Sequence, residues 1–462
     1  MKNKTSTLLT IVFTLAVIAA LVFCLVMNGN VPTDTNNSTA TSDNSEVVSV
    51  DSSKDDSDTS MPDTPSTPTI SDDPVSEASD EPQDKVVHFV GIPDSIIHAS
   101  VYYDAIDVAA RKKGVASVYK PLAEQDYDFS EIYKNFYDTF KSADLSYINL
   151  ETLVCGDSYG ISSYPSFNSP EQYGEYICEM GIDIINVAHN HMLDCQNAAG
   201  LKSCNDFFTS RGKTVIGYYE DTAATENITV VEKNGIKIAL LAYTYSCNGH
   251  KVDASKYTTY IPLFDEALIR KQVALAKQQA DIVLVSAHWG NENSYKIDSQ
   301  QNKYGDLFVE LGVDIVLGMH PHCIQEMCWK EGKDGSRTLM IYSLGNFVSG
   351  MQDDTNLLGG YVSLDIVKDA ITGKCSLQNV IFTPVVTFYT EPGGKLNSSD
   401  SGQRDYCVYE LCDFTQELCD AHEINNMKTD YKLVGGKWSI QCLYQTVQKY
   451  IASEFLEEKY RG

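Results

Sequence analysis

Along most of the chain, short apolar runs alternate with stretches of helical periodicity. Runs rich in β-branched and aromatic residues occur at Val86–Val90, Leu145–Ile148, Asp183–Val187, Ile236–Tyr243, Asp281–Ala287, Asp314–Leu317 and Leu339–Tyr342. Each has the length of a strand, and the alternation predicts an α/β fold. Phe129, Ile132, Phe136 and Phe140 recur at helical spacing. Ser169, Pro170 and Glu171 read as the N-cap and first turn of another helix, which Gly181 would close. Asn234 and Gly235 lie between Thr229–Glu232 and Ile236–Tyr243, a hairpin signal that makes part of the sheet antiparallel. The cysteine-rich tail from about Glu391 is less regular and reads as a satellite of the core.

The N-terminal segment has a different pattern. Leu8–Met27 is almost purely apolar, and about twenty such residues span a bilayer as a helix. Lys2 and Lys4 precede it, so residues 1–7 are expected in the cytoplasm and everything after Met27 outside. Asn28–Asp84 is Ser, Thr, Asp and Pro with hardly an aromatic residue. Such a segment cannot bury enough apolar surface to fold, so it is expected to be a disordered tether. The folded domain is then Lys85–Gly462. Much of the net charge of -28 belongs to the tether, and the acidity argues against nucleic acid as a partner. Of 13 cysteines, one lies in the apolar run. The rest permit disulfides, with Cys195 and Cys204, or Cys407 with Cys412 or Cys419, as candidates, although pairing is not readable from spacing.

Candidate chemistry gathers where the strands end. Asp94 and His98 follow the first, and Asn149 and Glu151 the second. His189, Asn190, His191 and Asp194 follow the third; His288, Trp289 and Glu292 follow Asp281–Ala287; His320 and His322 follow Asp314–Leu317. Six of the nine histidines thus follow strand ends, where α/β sheets form their ligand sites. One histidine in such a loop is ordinarily a hydrogen-bonded loop residue. His320 and His322 could share a face if the segment is extended. Convergence from five strands would build a mixed nitrogen and oxygen environment suited to Zn, Fe or Mn rather than Ca.

The segments Asp94–His98, Asn149–Glu151, Tyr164–Pro170, Asn186–Asp194, His288–Glu292, Gly318–His322 and Tyr342–Phe347 together resemble the capsule-synthesis CapA family, which shares the calcineurin-like metallophosphoesterase fold. The resemblance implies a four-layer α/β/β/α sandwich with two divalent ions, Mn, Fe or Zn, at the strand ends. Asp94 and His322, together with His98, would hold one ion. Asn190, His288 and His320 would hold the other, and Glu151 would bridge them. His191 would be the catalytic imidazole, and Asn149, His189 and Asn346 would face the substrate. The chain departs from the family pattern in having Pro93 directly before Asp94, four residues from Asp94 to His98, Glu151 in place of Asp, and His189 in place of Asn.

The implied setting is the making or remodelling of an extracellular anionic polymer, with poly-γ-glutamate as the named case and polymer synthase or export proteins as partners in the membrane. Three readings stay open at this stage: a hydrolase of γ-glutamyl bonds, a phosphoesterase of the cell envelope, and a metal-stabilised component without catalysis.

Overall fold

The computed structural model describes residues 82–427 and 430–462. The expected membrane helix and nearly all of the expected tether lie outside those residues. Among the described residues no helix is long and apolar enough to cross a membrane.

Among the described residues, fourteen strands form two sheets. In chain order the first seven are β1 (Lys85–Ser95), β2 (Leu145–Asn149), β3 (Ile184–Asn186), β4 (Thr214–Ile216), β5 (Thr229–Lys233), β6 (Ile236–Thr244) and β7 (Ile282–His288). The remainder are β8 (Ile315–Met319), β9 (Met327–Glu331), β10 (Arg337–Ile341), β11 (Asn346–Val348), β12 (Leu358–Lys368), β13 (Cys375–Thr390) and β14 (Arg404–Glu410). The eight-stranded sheet runs β14-β13-β12-β1-β2-β3-β4, with β11 added beside β1. Its half from β1 to β4 is parallel, and its half from β12 to β14 is antiparallel. The six-stranded sheet runs β5-β6-β7-β8-β10-β9, with a parallel centre and an antiparallel strand at each edge.

The α/β class and all seven sequence-read strands are present. Asn234 and Gly235 both take positive φ and close the β5–β6 hairpin at Lys233 and Ile236, as their turn chemistry requires. Three expectations change. The stretch from Phe129 to Phe140 forms two short helices, Ser130–Tyr133 and Tyr137–Ser142, although all four periodic residues are buried. The next helix begins at Glu171 with Pro170 before it, because the Ser169 hydroxyl pairs with Thr152 at 2.8 Å instead of capping. The tail is no satellite, since β14 extends the larger sheet.

The sheets pack face to face. Strand alternation sends Leu284 and Ile282 of β7 into the core shared with β1 and β2, while Val283, Val285 and Ala287 face the helices Glu266–Gln279 and Ser299–Glu310. This two-sided burial is why the central strands read as unbroken apolar runs. Tyr147 crosses between the sheets to reach Ser286 at 2.6 Å. On the larger sheet, Ala99–Lys112 packs beside β14 and Ala198–Thr209 beside β4.

Every described cysteine is a free thiol. The candidate disulfides are absent among the described residues: Cys195, Cys204, Cys407 and Cys419 are buried free thiols that pack as small apolar residues, and Cys412 is an exposed one.

Gly318 in β8 marks a close approach of the backbone after β10. A Cβ there would stand 2.1 Å from the Tyr342 carbonyl oxygen. Gly318→Ala should therefore lower unfolding stability by about 3 kcal/mol, measured by urea denaturation. The control Gly305→Ala lies inside a helix with its nearest neighbour at 3.4 Å and should be neutral or stabilising by up to ~1 kcal/mol.

Candidate metal centre

Parallel strands from both sheets end at one place. Asp94 sits near the end of β1, where the pairing with β2 shifts between Ile92 and Asp94; such irregularities re-aim a side chain. Glu151 follows β2, His288 ends β7, and His320 and His322 follow β8. Donor atoms of Asp94, Glu151 and His288 lie within 4.8 Å of one another, as do those of Glu151, His320 and His322. Glu151 is common to both groups, the bridging position implied by the resemblance. Asp94 falls in the group with His288, and His322 in the group with His320. His320 and His322 both take positive φ, 95° and 57°, so the segment turns and is not extended. His322 still contacts Asp94, Nδ1 to Oδ2 at 3.4 Å.

Hydrogen bonds orient the carboxylate and imidazole groups. Asn186 donates to Asn149 at 2.6 Å, and Asn149 donates to Asp94 at 2.5 Å. The second oxygen of Asp94 accepts from the backbone N–H of His320 at 3.0 Å. Asn346 places its side-chain oxygen 3.0 Å from His322 Nδ1 and donates to Ser349 and Asn356. Asn149 and Asn346, expected to face the substrate, are buried behind Asp94 and His322 with their amides committed to these bonds. Asn190 lies in the centre, 3.1 Å from His288 Nε2. His189 is wholly buried and accepts from the His191 N–H at 3.1 Å, which removes it from the expected substrate surface. His98 belongs to neither donor group; its Nδ1 accepts from the Gly350 N–H at 3.0 Å.

The donor set fits a cation. Both oxygens of Glu151, Nδ1 of His288 and Nδ1 of His320 are buried without a hydrogen-bond partner. Leaving a carboxylate so enclosed is costly unless a positive charge faces it. Burial, reinforced by Asp94, raises the Glu151 pKa well above the usual carboxylate range. Burial pushes His288 and His320 well below the ordinary imidazole value, so both stay neutral and able to ligate. For His322, burial opposes protonation, but the Asp94 carboxylate outweighs it and the pKa rises.

His191 stands beside this cluster. Its Nδ1 lies 2.6 Å from Asp194 Oδ2, which also accepts from the Phe167 N–H at 2.8 Å. Asp194 was visible in the sequence only as one of several polar residues after the third strand; its spacing of three from His191 was the available signal. Tyr245, which packs on His320 with ring centroids 4.4 Å apart, had no sequence signal.

The sequence model of the bacterial capsule synthesis protein PGA_cap matches residues 94–351, which contain every residue of this cluster. The chain belongs to the PGA_cap family. Capsule biosynthesis protein CapA of Bacillus anthracis is 30% identical over 186 residues, 39% of this chain and 43% of that protein. PGA biosynthesis protein CapA of Bacillus subtilis (strain 168) is 30% identical over 171 residues, 37% of this chain and 43% of that protein. The PGA_cap chain therefore spans less than half the length of these curated relatives. Among solved structures, a phosphatase from Mycoplasma pneumoniae aligns at TM-score 0.36 and 15% identity, over 65% of this chain and 95% of that one. A putative 5'-nucleotidase from Staphylococcus aureus aligns at TM-score 0.36 and 14% identity, over 63% and 54%. Similarity at that level carries no argument about fold or activity.

The raised pKa of Glu151 gives a pH dependence with a definite sign. A metal must displace the proton that burial holds there, so binding should release protons and weaken as pH falls through that raised value. Titration calorimetry of Mn or Zn in buffers of different ionisation enthalpy should show this release, and Glu151→Gln should remove most of it.

Proposed function

We propose that this PGA_cap-family protein is a two-metal hydrolase acting on γ-glutamyl bonds of an extracellular poly-γ-glutamate, with a metallophosphoesterase-type arrangement of sheets and site. The observation that carries the reading is the His191–Asp194 pair set beside a buried donor cluster whose two groups share Glu151. A purely structural ion would need no such pair. Asp94, Glu151, Asn190, His288, His320 and His322 would hold the ions, which when bound supply Lewis acidity and a water of lowered pKa.

The remaining work falls to the chain. Asp194 accepts from Nδ1–H of His191 and fixes the ring; the adjacent carboxylate stabilises the imidazolium, whose Nε2–H passes its proton to the departing amide nitrogen and leaves the neutral ring. Asn186, Asn149 and Asn346 keep Asp94 and His322 in place. Capsule proteins among the relatives support the polymer setting. In this reading Leu8–Met27 anchors the protein in the cell membrane, Asn28–Asp84 spaces the domain outward, and synthase or export proteins are its neighbours there.

His191→Ala should leave metal content unchanged and lower poly-γ-glutamate turnover by about 10²–10⁴, followed by release of new amino groups. His288→Ala should lose both metal and turnover. Wild-type polymer processing by His191→Ala would make the protein a metal-stabilised component, and cleavage confined to a phosphodiester probe would move the substrate class. Protease added to intact cells should release the domain by cutting within the tether; protection until lysis would reverse the orientation.

A further inference from the structure

The chain that follows β6 forms a loop built against the metal centre. Its two ends are closed on each other: the Thr244 N–H donates to Pro262 at 3.0 Å, and the Phe264 N–H donates to Thr244 at 3.2 Å. Its middle is held from outside. Asn197, at the start of the helix Ala198–Thr209, donates to the Lys251 carbonyl at 2.8 Å and accepts from the Asp253 N–H at 3.1 Å. The Tyr260 N–H donates to the Tyr219 carbonyl at 3.0 Å. A loop fixed at its ends and its middle presents a preformed wall, as ligand sites commonly require.

That wall encloses a cavity of about 440 Å³, within the ~300–1,000 Å³ usual for small-ligand sites. Two of its lining residues also belong to the surroundings of the centre. Tyr245 lines the cavity and packs on His320 with ring centroids 4.4 Å apart. Leu193 lines it and directly precedes Asp194, the partner of His191. From the same loop, the Asn248 side-chain nitrogen lies 3.4 Å from His191 Nδ1.

The lining has two unlike parts. One is apolar: Leu193 is buried, Val252, Tyr260 and Ile261 are half-buried, and Leu263 is 44% exposed. Burial pushes the Cys247 thiol up to about 12, so it too is uncharged. The other part is a cation. Lys251 is exposed and is the sole Asp, Glu, Lys or Arg among the lining residues. The loop's other lysine with a nearby acid, Lys256, is paired with Asp253 at 3.0 Å. Lys251 forms no ion pair among the described residues, which leaves its charge available to an incoming anion.

A γ-linked glutamyl unit has the same two parts. Its main chain runs through two methylenes, and its α-carboxylate stands beside that chain as a separate anion. An α-linked unit instead carries the methylenes in its side chain, with the carboxylate beyond them. We infer that this cavity is the subsite for the γ-glutamyl unit next to the bond presented to the metals, with its methylenes against Tyr245, Ile261 and Leu263 and its α-carboxylate at Lys251. Lys251 is then the residue that selects the charged, γ-linked polymer. The inference deepens the hydrolase reading and rests on it for the subsite's part in turnover.

The test titrates the full-length, Mn-loaded chain carrying His191→Ala, which spares the oligomer, with hexa-γ-glutamate by calorimetry at low salt. Hexa-α-glutamate of equal charge, and hexa-γ-glutamate with its α-carboxylates converted to carboxamides, are the comparison ligands. Hexa-γ-glutamate should bind at least about fivefold more tightly than either. Lys251→Glu should remove at least about that factor for hexa-γ-glutamate and leave the carboxamide within about twofold, whereas Lys251→Arg should keep the original affinity. Leu263→Asp, also at an exposed position, should weaken both γ-linked ligands by setting a carboxylate in the apolar wall. Binding weaker than about 10 mM, equal affinity for hexa-α-glutamate, or affinity for hexa-γ-glutamate unchanged in Lys251→Glu would overturn the inference. The hydrolase reading is judged apart, on turnover by the chain with His191 intact. Cleavage whose KM is unmoved by Lys251→Glu keeps that reading and overturns the subsite. Lys251-dependent binding without cleavage keeps the subsite and overturns the reading.

Discussion

Glu151 carries the constraint around which the rest is arranged. Its side chain is sealed from water, and neither oxygen receives a hydrogen bond. A group in that state must either keep its proton or face a cation. The ring nitrogens of His288 and His322 lie 3.5 and 3.7 Å from one of its oxygens, and burial keeps His288 neutral. These are conditions for coordination and poor ones for an ordinary ion pair. The convergence of strands from two sheets has the same consequence: it buries the donors and supplies them from separate strands.

Around this charge the chain spends amide side chains as fixed struts. Asn186, Asn149 and Asp94 form a continuous line across β3, β2 and β1, each residue at or near a strand end. Asn346 does the same for His322 from β11. A short polar residue at a strand end is inexpensive to order, because the neighbouring ladder has already fixed its backbone. That economy explains how a site so poor in solvent contact can be built without a long loop to hold it.

The surroundings divide the site into unlike sides. Tyr245 and Asn248 come from the chain after β6 and meet His320 and His191. On the other side, Phe167 and His98 lead to a cavity walled by the chain before β14. The antiparallel half of the larger sheet therefore does more than complete the fold. It brings a C-terminal wall within reach of residues near the start of the domain, as the Asp104 carboxylate shows by accepting from the backbone of Asp405, 301 residues away.

Much of this was legible in the amino-acid order. Apolar runs of strand length located β1, β2, β3, β6, β7, β8 and β10, because burial on both faces leaves a local signature. The polar residues directly after them named nearly all of the cluster, since a strand end fixes where the next side chain can be. What the order could not decide was partnership. Asp94 meets the backbone of His320 across 226 residues, and no local pattern encodes that distance. Tertiary structure alone turned Asn149 and Asn346 into struts, withdrew His98 from the donor groups, paired His191 with Asp194 and made the tail a strand of the main sheet. Periodicity and turn chemistry act over a few residues, so they determine elements and their ends. Which ends meet is set by the packing of two sheets, a property of the whole chain.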